Sequence, residues 1–321
     1  MKKISQSVTV FILFCIIIIL ITFSTQAKAG ALEGIKLCEE IIIPSLLPIL
    51  IISNALINTK SGIIPALFFG LVSGYPSGAV LTCELYKKGV INEKEAERIM
   101  SFNFCGGAAF IISALGGVIY KNIKAGIVLF SSCVLSSLII ALFRFPFKAI
   151  KNKRTVNGMS VSDALCAAAE SSVKSIAVMS AYIILFSALI GIFHIPDFAV
   201  PLLEITNGIC KAKALPSLPF CAFFLSFGGL CIQFQLFSFL KKMNIKYYVF
   251  LIYRLFGGVL AFFVCKAILF FSDDASLASA QLSPSLPAQP SRLGVGLSML
   301  MIIGCAVIVF DIENRKLQLI K

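Results

Sequence analysis

Glu204 is the sharpest candidate for chemistry in this chain. It stands in "LLEITNG" (202–208), between long apolar stretches, with Thr206 and Asn207 two and three residues further on. A carboxylate inside hydrocarbon is costly and is usually kept for a purpose. Here it could bind a cation, or accept a hydrogen bond from a substrate hydroxyl or amine. Solvated at an outer interface, it would do neither. A second polar island is "SGYPSG" (73–78). Glycine and proline break helices, and unpaired backbone is expensive in lipid. Ser73, Gly74, Tyr75 and Ser77 therefore either meet a polar ligand in a wet cavity or form a tight turn that needs these residue types. Ser101 and Asn103, and Gln233 and Gln235, lie in two further Gly-interrupted segments. Their side chains could bridge helices or reach the same cavity.

These eleven residues form one candidate set for substrate or ion binding; no catalytic residue joins it. The chain lacks GxSxG, HExxH and Walker A patterns, and its single histidine, His194, counts against His-dependent catalysis. The eleven cysteines include no CxxC pair and mostly fall inside apolar runs, as small buried hydrophobes do. No enzyme activity, cofactor, metal site or disulfide is expected.

The elements that position these residues follow from composition. Of 321 residues, 59 % are hydrophobic and 13 % charged, with mean hydropathy +0.97. A soluble domain carries about 25 % charged residues, so the reading is an all-α, polytopic transmembrane bundle in a lipid bilayer. Apolar runs long enough to cross occur at 8–25, 34–58, 99–120, 125–145, 172–193, 217–240, 247–271 and 293–312, about eight spans. Two shorter pieces, 62–82 and 199–212, read as re-entrant. Residues 1–29 are an N-terminal anchor helix or a signal, since Ala27-Lys28-Ala29 resembles a cleavage site. Residues 273–292 form an external Ser/Pro loop, and 293–321 a last span with a basic tail.

The net charge of +13 could suggest a nucleic-acid partner. Its distribution points to membrane topology instead, because the basic residues cluster in short loops. With both short pieces re-entrant and both termini cytoplasmic, most Lys and Arg share one face. That face includes "KKGVINEKEAER" (87–98) and "RFPFKAIKNKR" (144–154). If both pieces spanned, these two loops would face the other way. Pro44 and Pro48 should bend the second helix, and Arg254 should snorkel to the cytoplasmic side.

The two halves, 30–155 and 156–272, share an order of elements: an amphiphilic helix, a broken polar piece, a Gly-interrupted helix and a plain helix. Ser101-Phe102…Gly106-Gly107 recurs as Ser226-Phe227-Gly228-Gly229, and "SNALI" (53–57) as "SALI" (187–190). An odd number of spans per half makes this an inverted-topology repeat, as in secondary transporters. The expected function is a carrier for a small polar solute, with a coupling ion and an oligomer both compatible with it. The alternative is a non-transporting assembly or signalling component of the membrane.

"PSLLPILIISNAL" (44–56), "GLVSGYPSGA" (70–79), "INEKEAERIMSFNFCGGAAFI" (91–111) and "LSFGGLCIQFQ" (225–235) together resemble the YlbJ-type sporulation integral membrane proteins. Those are similar to the nucleoside-recognition gate-domain proteins of spore-forming bacteria. The resemblance extends from residue 30 to residue 260. It implies a multi-pass cell-membrane location, a role in endospore formation, and kinship with concentrative nucleoside transporters, hence a nucleoside-like solute. Two departures stand out. "NFCGGAAF" replaces the family's Asn-rich "NNSGP" pattern, keeping Asn103 but no proline. Gln233 stands where members often carry histidine, which counts against a proton-coupled mechanism resting on that residue.

Overall fold

The computed structural model describes residues 2–59, 63–75, 77–144, 159–193, 195–196, 198–210 and 217–272. His194, Pro76, residues 145–154, the loop 273–292 and the expected span 293–312 lie outside the described residues. Among the described residues every regular element is helical. The first half runs α1 (Lys2–Thr22), α2 (Ser24–Leu37), a π-helical turn (Cys38–Ile42), α3 (Ile43–Thr59), α4 (Ile63–Ser73), α5 (Ser77–Lys87), α6 (Glu93–Phe102), a π-helix (Ala109–Ile119) and α7 (Ile123–Arg144). The second runs α8 (Val161–Phe193), α9 (Val200–Leu203), α10 (Ile205–Cys210), α11 (Leu218–Phe227), α12 (Gly229–Lys242) and α13 (Tyr247–Phe271).

Among the described residues four helical stretches are long and apolar enough to cross a membrane: Ile123–Arg144, Val161–Phe193, Leu218–Phe237 across α11 and α12, and Tyr247–Phe271. They coincide with four of the expected spans. The other expected runs among the described residues are subdivided. The run 34–58 is split by the π-helical turn, and 99–120 is interrupted between Phe102 and Ala109. The π-helical turn has a local cause. Pro44 and Pro48 cannot donate to the carbonyls four residues earlier, and their rings crowd those carbonyls. A wider turn just upstream relieves the crowding.

The helices pack in two groups. α8 lies along α2 and α3, while α7, α11 and α13 pack together with the π-helix against α7. Small residues allow the closest approach: a Cβ on Gly30 of α2 would lie 2.3 Å from the Ser187 carbonyl oxygen of α8. This is how membrane helices gain contact when lipid offers no hydrophobic drive between them. Large apolar side chains such as Phe143, Phe263 and Phe270 point outward, whereas Ser132, Ser172, Gln233 and Arg254 are buried. A bilayer as solvent favours that distribution.

One end of the molecule is polar. Asn92 and Glu95 form a capping box that starts α6: the Glu95 N–H donates to Asn92 Oδ1 at 2.9 Å, and the Asn92 N–H to Glu95 Oε2 at 2.8 Å. Glu97 pairs with Arg144 at 3.1 Å. Asn244, in the turn between α12 and α13, donates to Glu93 Oε1 at 3.1 Å. The 87–98 segment, the end of α7 and the 241–246 turn therefore share one end. Asn92→Ala removes one acceptor of the capping box, and should cost about 1 kcal/mol. It is expected to lower the thermal unfolding midpoint of the purified protein by a few degrees, while the exposed Lys94→Ala leaves it unchanged.

Candidate functional site

The two broken pieces lie against the two Gly-Gly breaks. In the first half, Gly70, Gly74 and Gly78 recur every fourth residue along "GLVSGYPSG". A Cβ on Gly70 would meet the Asn103 amide at 2.3 Å, one on Gly74 the Gly107 nitrogen at 2.1 Å, and one on Gly78 the Asn103 carbonyl at 2.2 Å. The glycines thus serve backbone-to-backbone contact with the 103–107 break. The Tyr75 N–H donates to the Cys105 carbonyl at 3.0 Å, and the Cys105 thiol to the Leu71 carbonyl at 3.2 Å. The N–H freed by the break at Gly74 is therefore closed inside the protein rather than offered to a ligand.

In the second half, α9 stops at Glu204, whose backbone is extended (φ −138°, ψ 113°), and α10 restarts at Ile205. Glu204 is 1 % exposed. Its two carboxylate oxygens accept the N–H groups of Thr206 at 2.9 Å and Asn207 at 2.5 Å. This is the N-cap arrangement, with a longer side chain folding back on the first turn. A Cβ on Gly229 would lie 3.1 Å from the Pro201 carbonyl oxygen and 3.5 Å from the Ile205 nitrogen. The Gly228-Gly229 break thus cradles this piece, as Gly106-Gly107 cradles the first.

Each broken piece is also tied to a long helix by a serine twenty positions earlier. Ser73 Oγ donates to Ser53 Oγ of α3 at 2.6 Å, and Asn207 Nδ2 donates to Ser187 Oγ of α8. Ser53 and Ser187 are the first residues of the recurring "SNALI" and "SALI".

Between the two pieces lies a small cavity of about 20 Å³, room for a water-sized group. Tyr75 and Gly107 reach it from the first half, and Glu204, Thr206 and Gln235 from the second; Ile42, Met179 and Ile183 supply apolar wall. Four residues of the candidate set are thereby brought together. The other seven sit around them with different partners. Ser73 and Gly74 hold the first break as described. Ser101 Oγ donates back to the Arg98 carbonyl of its own helix at 2.6 Å. Asn207 and Gln233 are bonded to Ser187 and Tyr247, the latter at 2.7 Å. Ser77 Oγ and both amide atoms of Asn103 are buried without a partner among the described residues.

Arg254 corrects its expectation. It does not snorkel: it is 1 % exposed, and its guanidinium donates to the carbonyls of Ser101 and Phe104. It also stacks over the Phe104 ring, 4.6 Å from the centroid. It thus satisfies carbonyls left free where α6 ends, at the negative end of the helix dipole. Nothing local in "YRLFGG" signals this; the only hint is a charge in the middle of an apolar run.

The chain is similar to the sporulation integral membrane protein YlbJ of Bacillus subtilis (strain 168), at 27% identity, with 71% of this chain and 74% of the relative covered. No family model and no solved structure matches it.

Proposed function

We propose that this chain, an integral membrane protein of the YlbJ type, is a secondary-transporter-like carrier for a small polar solute in spore formation, with its binding site in the cavity between the two broken pieces. The observation that carries this reading is the cavity's lining, which takes Tyr75 from one broken piece and Glu204 and Thr206 from the other. Carriers built from inverted repeats place their sites where interrupted helices from both halves meet. Two features support the repeat. The serine ties at Ser53–Ser73 and Ser187–Asn207 occupy matching positions. The bond from Asn244 to Glu93 joins loops that would lie on opposite faces if both short pieces spanned, so it favours re-entrant pieces. A nucleoside-like solute is the finer form of the proposal, and its warrant is family resemblance.

The test is uptake of a labelled panel of small polar solutes, nucleosides included, into proteoliposomes. One member of the panel should accumulate, and Glu204→Gln should lower its uptake by about tenfold or more, the scale of one lost charge-assisted hydrogen bond. A second reading, a non-transporting assembly component, is favoured by one observation: the first break closes on itself through Tyr75 N–H and Cys105 O. Absence of uptake across the panel, with sporulation still dependent on the protein, would select it.

A further inference from the structure

We propose that the cavity is a binding site for a small monovalent cation, of the sodium or potassium class, held by Glu204, Thr206, Gln235 and Tyr75. The role of such an ion as a coupling ion rests on the carrier reading above; its binding does not.

The donor set is the first ground. The polar side chains lining the cavity are a carboxylate, a hydroxyl, an amide and a phenol, so each offers oxygen. Among the described residues no lysine, arginine or histidine lines it. Oxygen donors suit hard cations, and a single carboxylate balances one positive charge; divalent sites use several carboxylates or keep water shells. Both Glu204 oxygens already accept backbone N–H groups, as an ionised carboxylate does, and these bonds fix where the charge sits.

An independent observation points the same way. The Tyr75 hydroxyl has no hydrogen-bond partner among the described residues, although the residue is only 7 % exposed and lines the cavity. Buried hydroxyls of native proteins are nearly always paired. Its ring is held against Phe104, with centroids 5.0 Å apart, so the hydroxyl is presented from a fixed platform. The apolar remainder, Ile42, Leu46, Phe110, Met179 and Ile183, strengthens a charge–oxygen contact by excluding water. The carboxylate disfavours an anion in the same space.

The chain has no tryptophan, so tyrosine emission can be read without interference. Sodium or potassium chloride would be titrated into the purified full chain in detergent, against N-methylglucamine chloride at constant ionic strength. A saturable change in emission or in unfolding temperature is expected for one of the two ions. Its midpoint should rise about tenfold or more in Glu204→Gln, and the emission change should shrink in Tyr75→Phe. Should Glu204→Gln fail to fold, Gln235→Ala takes its place with the same expected direction. No saturable response in the wild type, or an unchanged midpoint in the folded variant, overturns the site. Solute uptake that is indifferent to replacing both ions by N-methylglucamine overturns the coupling role, while leaving the carrier reading intact. Saturable ion binding without uptake of any solute upholds the site and overturns the carrier reading.

Discussion

Gly74→Ala is expected to destabilise the protein more than any other single-methyl addition in the first broken piece. Two terms act together. Gly74 has φ +77°, a left-handed conformation that costs a residue with a Cβ about 1–2 kcal/mol. Its added carbon would lie 2.1 Å from the Gly107 nitrogen and 2.5 Å from the Gly107 Cα. Both neighbours are backbone, so no side chain can rotate away. Overpacking of this kind costs about 1–3 kcal/mol more. The molecule carries its own control: Gly89 has φ +68°, but a Cβ there meets nothing within 4 Å. Gly89→Ala should show the conformational term alone. The unfolding midpoints of the two variants in detergent therefore separate strain from contact. If both fall equally, the close approach between the 70–78 and 103–107 segments is wrong.

The second large effect is at Arg254. Arg254→Ala should cost about 3–5 kcal/mol, because it leaves the Ser101 and Phe104 carbonyls buried without their donor and opens a space beside Phe104 and Phe250. Arg254→Lys should recover only part of this. An ammonium is a point charge without the planar fork that spans two carbonyls and stacks on a ring. Arg144→Ala provides the contrast. Its pair with Glu97 is 28 % and 36 % exposed, and such pairs contribute about 0–1 kcal/mol. A thermal-unfolding series should rank Arg254→Ala, then Arg254→Lys, then Arg144→Ala. Equal losses at 254 and 144 would mean that Arg254 is not buried at the end of α6.

These two residues show how far the chain could be read in advance. The glycines of "SGYPSG" mark a break in any reading, because their stereochemistry is local. Their purpose is not local. Gly70, Gly74 and Gly78 are small for the sake of Asn103 and Gly107, about thirty residues on, and the break's free N–H is used by Cys105 rather than by a ligand. Glu204 stands out as a carboxylate in an apolar setting, and it is indeed buried. That it caps α10 and faces Tyr75 across a cavity could not be read from "LLEITNG" alone.

The all-helical membrane class, four of the candidate crossing segments and the sites of chain breakage were already determined by residue type and spacing. Each depends on interactions within a few residues, or on the balance of apolar and charged side chains against lipid. The meeting of Tyr75 with Glu204, the matched serine ties and the burial of Arg254 were decided only by the tertiary structure. Arg254 bonds carbonyls 150 and 153 positions away. Which distant groups a side chain meets depends on how whole helices pack, and that is set by the sum of many small contacts rather than by the residues on either side.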